Sequence, residues 1–293
     1  MYSVLLIGLG RIGYEYDLAE EHAVFTHTRA VLRSECFELV GGVDSDGGKR
    51  SRFHVGTSVP VYHSIAEFLA MTEVNPDVCV IATNTDSHFY YWQEASKLNA
   101  KVILIEKPLF SSQSEIDEFQ RHRISRTEKI MVNLIRFYQP TLNTILGEIS
   151  KSKTIKVIGS VSGGMLHNGI HFLTLFERFF GPVKEYVKVI SDNTTYHEFS
   201  YGCAFATLTD VMSPLENNSF FIEYDLGVFY YLDGGRKMFT ISNEHGVEEF
   251  SSSEIMTYQT YVYQALEHVL SGVEDDSVEL SLNAQIVLTQ KSE

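Results

Sequence analysis

The chain has 293 residues, 44% hydrophobic and 21% charged, which is enough for one large or two ordinary packed domains. It carries 38 Asp and Glu against 23 Lys and Arg, a formal net charge of −15, with no long basic run, which argues against nucleic acid or anionic membrane as partners. Three scattered cysteines without a CxxC fit neither a disulfide framework nor a zinc site; no apolar stretch nears the ~20 residues of a membrane span and no basic n-region precedes the first strand, so a reducing cytoplasm is expected.

Val4–Ile7 predicts a short buried strand that runs into Gly8-Leu9-Gly10-Arg11-Ile12-Gly13. Strand, tight turn and helix start, in that order, can hold the pyrophosphate of a dinucleotide. Gly8 permits the turn, Gly10 lets the backbone approach phosphate, and Gly13 lets helix and strand pack closely. The anion sits at the helix N-terminus, among unpaired N–H groups. Alone, the motif is a weak signal and reads equally as a glycine-rich turn. The helix due after Gly13 is delayed, because Tyr14–Thr26 is acidic, aromatic and loop-like, and helical character resumes near Thr26–Leu32. Glu38–Asp44 predicts a second strand ending in an acid. Ser64–Met71 reads as a short helix, with Ser64 and Glu67 spaced as a capping box. Asp77–Thr83 predicts a third strand, apolar enough for burial on both faces. A helix over Thr85–Leu98, a strand over Lys101–Ile105, a helix from the Ser112/Glu115 capping box to about Arg123 and a strand over Lys129–Leu134 complete the alternation. That pattern is a doubly wound parallel (Rossmann) sheet, whose ligands sit at the C-terminal strand ends, where Asp44, Thr83 and Glu106-Lys107 fall.

The texture then changes. A helix over Pro140–Ile149, a strand over Thr154–Ser162 and a helix over Met165–Phe180, stopped by Gly181-Pro182, precede a series of strands. These are Val183–Ile190, Cys203–Thr209, Ser219–Tyr224, Val228–Leu232 and Met238–Ile241, with Asp233-Gly234-Gly235 as a hairpin turn. Helices follow at Thr257–Leu270 and Leu282–Lys291. The expectation is an α+β domain with a mostly antiparallel open sheet. The boundary is placed near Phe137-Tyr138, dividing the chain into 1–137, the dinucleotide-binding domain, and 138–293, the substrate-binding and oligomerisation domain.

Several residues carry chemistry. Asp44 can accept hydrogen bonds from the adenosine ribose hydroxyls and, with Asp46, repel a 2′-phosphate, which favours NAD over NADP. It lies 31 residues beyond Gly13, against roughly 20 for the usual fingerprint, and the Tyr14–Thr26 insert accounts for the excess. The competing reading is a turn-forming Asp. Lys107 puts a cation at the sheet mouth, where it can polarise a substrate oxygen, or is a surface lysine after an edge strand. On a helix, His167, His171 and Thr174 share a face at i, i+4 and i+7. Two structural histidines or a catalytic histidine facing a cofactor are the competing readings. A metal site is not expected: the metalloprotease pattern needs Glu where Asn168 stands, and no third ligand is evident.

Taken in order, the glycine turn, Asp44, Ala82-Thr83-Asn84-Thr85-Asp86-Ser87-His88, Glu106-Lys107-Pro108, Arg136-Phe137 and Gly169-Ile170-His171 resemble the glucose–fructose oxidoreductase/inositol dehydrogenase/rhizopine-catabolism (Gfo/Idh/MocA) family. The likeness is strongest over Met1–Phe137 and Gly163–Pro182. It implies a Rossmann domain plus an α+β domain whose open sheet face joins copies into a homodimer or homotetramer. It implies an NAD(P)-dependent oxidoreductase, NAD rather than NADP, interconverting a secondary alcohol and a ketone on a sugar, cyclitol or nucleotide-sugar-like substrate. Lys107 and His171 would be catalytic, with His167, Asn168, Thr174 and Arg136 in support. Gly8, Gly10, Arg11, Ile12, Gly13, Asp44, Thr83, Asn84, His88, Glu106 and Lys107 would meet the cofactor. His167 and Thr174 stand where the family often has Asp, which leaves open a dinucleotide-binding sensor; an imine or enone reductase is a further alternative. His27, Tyr14 and Tyr16 would reach the cofactor or substrate if the insert folds over the cleft rather than away from it.

Overall fold

The computed structural model describes residues 1–192, 194–211, 218–242, 245–251 and 253–289. The chain forms two compact units, Met1–Ile135 with Met256–Val278 and Arg136–Ile255 with Glu279–Glu293.

In the first unit β1 (Tyr2–Ile7), β2 (Phe37–Val43), β3 (Val61–Tyr62), β4 (Val78–Ile81), β5 (Val102–Glu106) and β6 (Lys129–Asn133) form one parallel sheet in the order β3-β2-β1-β4-β5-β6. Every residue of β4 and β5 is buried, which is why VCVI and VILIE carry no polar alternation. The connecting helices are α1 (His27–Leu32), α2 (Gly47–Thr57), α3 (Ile65–Met71), α4 (His88–Ala95) and α5 (Gln113–Arg123). The Ser112/Glu115 pair makes the full reciprocal capping box. At α3, Ser64 caps Glu67 N, but the Glu67 carboxylate takes the His63 N–H instead. Strand order reverses between β1 and β4, so the ligand crevice of this topology opens at their C-terminal ends.

The second unit begins with α6 (Pro140–Ile149), β7 (Ile155–Ser162) and α7 (Ile170–Phe180). Strands β8 (Glu185–Ser191), β9 (Thr194–Ser200), β10 (Ala204–Val211), β11 (Ser219–Tyr224), β12 (Gly227–Leu232), β13 (Lys237–Ser242) and β14 (Gly246–Phe250) follow. The sheet runs β14-β13-β12-β11-β7-β10-β9-β8; β7 and β10 are parallel and the other pairs antiparallel. Leu142 and Leu146 of α6, Phe172 and Phe176 of α7, and Val157, Phe220 and Tyr231 of the sheet share one core. Elsewhere the sheet leaves Val187, Val189 and Ile190 exposed on β8, and Phe221, Tyr230 and Phe239 follow one another across β11, β12 and β13, the first pair tilted at 6.1 Å and the second stacked at 4.7 Å.

Several features depart from the sequence reading, among them α2, β9 and β14, for which no element was expected. The helix expected over Met165–Phe180 opens with one π turn, Met165–Gly169, before α7. The final helix, α9 (Ser277–Thr289), starts before Leu282, and its expected end at Lys291 lies outside the described residues. The division at 137/138 also takes a different form, because α8 (Tyr258–Leu270) packs with the first unit. Its Val262, Leu266 and Val269 are buried, Lys129 Nζ donates to Val269 O at 3.1 Å, and the Val132 N–H donates to Ser277 Oγ at 3.0 Å. A helical apolar period states that a face is buried but not which sheet buries it.

Candidate functional site: the glycine-turn cavity and its flanking residues

Gly8 has φ +98°, and a Cβ there would stand 2.5 Å from Ala82 O, so only glycine carries the chain from β1 past β4. A Cβ on Gly13 would overlap the Gly8 carbonyl oxygen, as expected of the glycine that lets turn and helix close up. At Gly10 a Cβ would meet only Lys49 and would otherwise enter a cavity of about 540 Å³. Among predicted residues, Gly8, Gly10, Arg11, Ile12, Asp44, Thr83 and Asn84 line that cavity. Its size falls in the range of small-molecule and cofactor sites.

Asp44 is 9% exposed and is fixed by the Leu9 N–H on Oδ2 and the Asp46 N–H on Oδ1, each at 2.9 Å. Each carboxylate oxygen has two lone pairs, so capacity remains for two ribose hydroxyls. Lys49 Nζ stands 3.7 Å from Asp44 Oδ2. A glycine cradle beside a held carboxylate fits the pyrophosphate and ribose of a dinucleotide. Lys49, Ser87 and Tyr91 also line the cavity and were missed. Lys49 is readable as the cation one turn into the helix that Asp46 caps, and Ser87/Tyr91 as an i, i+4 pair after Thr83.

His88 and Glu106 lie outside the cavity lining. His88 is buried, with Nδ1 3.0 Å from Pro108 O and Nε2 3.1 Å from Thr83 O, so it staples two strand ends together. Glu106, the last residue of β5, is buried. His27 Nε2 lies 3.1 Å from its Oε1, Asn133 Nδ2 donates to the same oxygen, and its Oε2 accepts the Lys107 N–H at 3.2 Å. Burial pushes the Glu106 carboxyl up, but His27, Asn133 and the Lys107 charge outweigh it and hold the group below its ordinary value. Lys107 itself is half-buried, directly after β5.

A π turn over Arg11–Glu15 opens directly after Gly10, against the expected delay of the helix, and the rest of the Tyr14–Thr26 insert is a hydrogen-bonded loop. Asp17 is buried and accepts the Phe25 and Thr26 N–H groups at 2.9 and 3.0 Å, while Arg29 donates to the Asp17 and Glu20 carbonyls. Thr26 then caps α1 through the Arg29 N–H. Tyr16 lines the cavity. Tyr14 instead packs edge-on against Phe53 of α2, and His27 points inward to Glu106. The excess spacing to Asp44 thus supplies an anchored start for α1.

In the second unit His171 is 1% exposed and His167 is exposed, so the two imidazoles do not share one environment. Asn168 Nδ2 donates to Ser162 O at 2.7 Å and closes the turn after β7. Thr174 is buried and its hydroxyl donates back to Ile170 O at 2.9 Å, the intrahelical bond common for threonine. Arg136 lies over the Phe172 ring at 5.3 Å, and its Nε donates to Tyr231 Oη at 2.9 Å. These contacts make Asn168, Thr174 and Arg136 parts of the frame around α7.

Residues 2–134 match the GFO_IDH_MocA family, described as an oxidoreductase family with an NAD-binding Rossmann fold. No curated protein matches the chain. Among solved structures it is similar to an oxidoreductase from Agrobacterium radiobacter in complex with NAD+, L-tartaric acid and magnesium, at 14% identity, covering 98% of this chain and 94% of that one, with TM-score 0.74. The WlbA dehydrogenase from Bordetella pertussis, in complex with NADH and UDP-GlcNAcA, is 15% identical over 98% and 93% of the two chains, with TM-score 0.77. A dehydrogenase from Chromobacterium violaceum is 14% identical over 98% and 93%, also at 0.77. At these identities the likeness speaks for the fold. Among the described residues no helix is long and apolar enough to cross a membrane.

Proposed function

Through residues 2–134 the chain belongs to the Gfo/Idh/MocA family of NAD(P)-binding oxidoreductases, and from that premise we propose an NAD-dependent dehydrogenase that interconverts a secondary alcohol and a ketone on a polyhydroxylated small molecule. The observation that carries the cofactor preference is Asp44. Its carboxylate is held at the cavity edge by two backbone N–H groups, with lone pairs left for ribose hydroxyls and a charge that opposes a 2′-phosphate. Lys49 beside it tempers that repulsion without removing it.

Hydride transfer is the chemistry that a nicotinamide cofactor supplies when bound. The chain's own residues bind, orient and move protons. Lys107 at the end of β5 polarises the substrate oxygen and stabilises developing alkoxide charge. His171 takes the hydroxyl proton during oxidation and returns it during reduction. The sugar-nucleotide ligand of the WlbA structure makes nucleotide sugars the first substrates to try, with cyclitols and free sugars next. The half-buried aromatic series Phe221, Tyr230 and Phe239 suits pairing with a second copy.

Neither position 167 nor position 174 is an Asp, so no carboxylate from those places stabilises an imidazolium at His171. That observation favours a dinucleotide-binding sensor as the second reading. One experiment separates the two: fluorescence titration with NADH and NADPH, then the same protein with a panel of nucleotide sugars, cyclitols and sugars followed at the NADH absorbance. NADH should bind at least about tenfold tighter than NADPH. Equal or tighter NADPH binding overturns the Asp44 argument, and tight NADH binding with silence across the panel favours the sensor.

A further inference from the structure

The first unit buries a polar cluster that the reaction outlined above does not use. His27 at the start of α1, Glu106 at the end of β5, Asn133 at the end of β6, and Gln259 and Tyr263 of α8 all lie out of solvent. His27 Nε2 faces Glu106 Oε1 at 3.1 Å. Its Nδ1 faces Gln259 Nε2 at 2.9 Å and Tyr263 Oη at 3.3 Å. A neutral imidazole satisfies this set, with Nε2–H donating to the carboxylate and Nδ1 accepting from the Gln259 amide. Burying a carboxylate this deeply is costly unless it is paired and hydrogen-bonded. Apolar side chains would fill the same space at less cost, so the charge itself calls for a role.

The remaining contact of the carboxylate supplies one. Glu106 Oε2 accepts the backbone N–H of Lys107 at 3.2 Å, at the point where the chain leaves the sheet. The groups on the Glu106 carboxylate are His27 from α1, the neutral amide of Asn133 from β6 and the backbone of Lys107, which follows β5; Tyr263 and the neutral amide of Gln259, both from α8, contact His27 behind it. Tyr263 bears the mark of the negative charge. Its hydroxyl is pushed up by burial and then by Glu106. The Lys107 charge is one of the influences that hold Glu106 below its ordinary value.

We propose that Glu106, braced by His27 and Asn133, is a positioning residue for Lys107: its buried carboxylate anchors the backbone N–H from which the Lys107 side chain departs and sets a negative charge beside that residue. His27 acts one step further back, through Glu106. The proposal rests on the reading of Lys107 as the oxygen-polarising group, but its test does not need the substrate.

The test is competitive acetylation with acetic anhydride across a pH series, read by mass spectrometry at Lys107, with the exposed Lys97 and Lys101 as internal references. Wild type, Glu106→Gln, His27→Gln and the double variant are compared. Glu106→Gln should raise Lys107 labelling relative to the references by about threefold or more, as removal of a neighbouring negative charge requires. His27→Gln should raise it by less, and the double variant should not exceed Glu106→Gln alone. Unchanged relative labelling in Glu106→Gln overturns the proposal. If that variant does not fold, unchanged labelling in His27→Gln does the same. Full turnover in Lys107→Ala would sink the catalytic reading of Lys107 while leaving this labelling ratio intact, so the two failures are distinguishable.

Discussion

Glu106 and Glu177 are both buried carboxylates, one in each unit, and their surroundings treat them in opposite ways. Glu106 meets an imidazole, an amide and a backbone N–H, and these hold it ionised against the pull of burial. Glu177, near the end of α7, has the Val183 N–H at 3.2 Å on Oε1, and among the described residues no hydrogen-bond partner reaches its buried Oε2. Burial pushes its carboxyl up to about 7, with the Val183 hydrogen bond opposing. Residue type and depth are alike in the two cases; the number of donors supplied by the fold decides which one carries charge.

Removing a donor from the well-braced side should have the largest effect. His27→Leu leaves the Glu106 charge short of its imidazole donor and should cost about 2–3 kcal/mol in urea denaturation. A loss below about 1 kcal/mol would show that the two carboxylates differ less than their contacts imply.

The poorly braced side should respond to pH. With its folded value raised, Glu177 contributes stability that is fully present below the unfolded carboxylate range and is lost as pH rises from 4.5 through about 7. Allowing for solvent screening, that loss is about 2 kcal/mol. Glu177→Gln should abolish it when variant and wild type are compared by thermal melts at pH 5 and 8. An unchanged difference between the two pH values would place Glu177 among ordinary carboxylates.

The smallest effect belongs to a neighbour in the same unit. His197 lies parallel to the Tyr186 and Phe199 rings, and Tyr186 Oη lies 2.9 Å from its Nδ1. Burial, and then the Lys188 charge, push this imidazole down to about 4. Its stabilisation is present above the unfolded value of 6.5 and is lost as pH falls toward 4. It therefore opposes the Glu177 slope. His197→Phe should raise stability at pH 5 relative to pH 8, and a variant that follows the wild-type pH dependence would remove His197 from this balance.

The first unit was legible wherever a single local signal decided the outcome. The unbroken runs VCVI and VILIE stated strands buried on both faces, and the glycine spacing with Asp44 located the cavity. Signals that pointed two ways were misread or passed over. Asp-Ser-Asp-Gly-Gly reads as a turn, yet Asp46 caps α2. The polar strand β9, reading TTYHEFS, and the mostly exposed β14 carry little of the alternation that marks a half-buried strand. Long-range partnerships left no trace in spacing. His27 and Glu106 are 79 residues apart and His27 and Gln259 are 232 apart, so no period connects them. His88 was placed in the cofactor channel by resemblance, but its ring nitrogens are taken up by the Thr83 and Pro108 carbonyls.

The return of α8 has a consequence for how the protein is made. Gln259 and Tyr263 cover His27, and Ser277 receives the Val132 N–H, so the first unit lacks part of its interior until residues past 277 have left the ribosome. Nearly all of the second unit is synthesised in the interval. A nascent chain ending at 137 would hold the His27–Glu106 pair under an open flank, and the two units cannot mature one after the other in the simple order of translation.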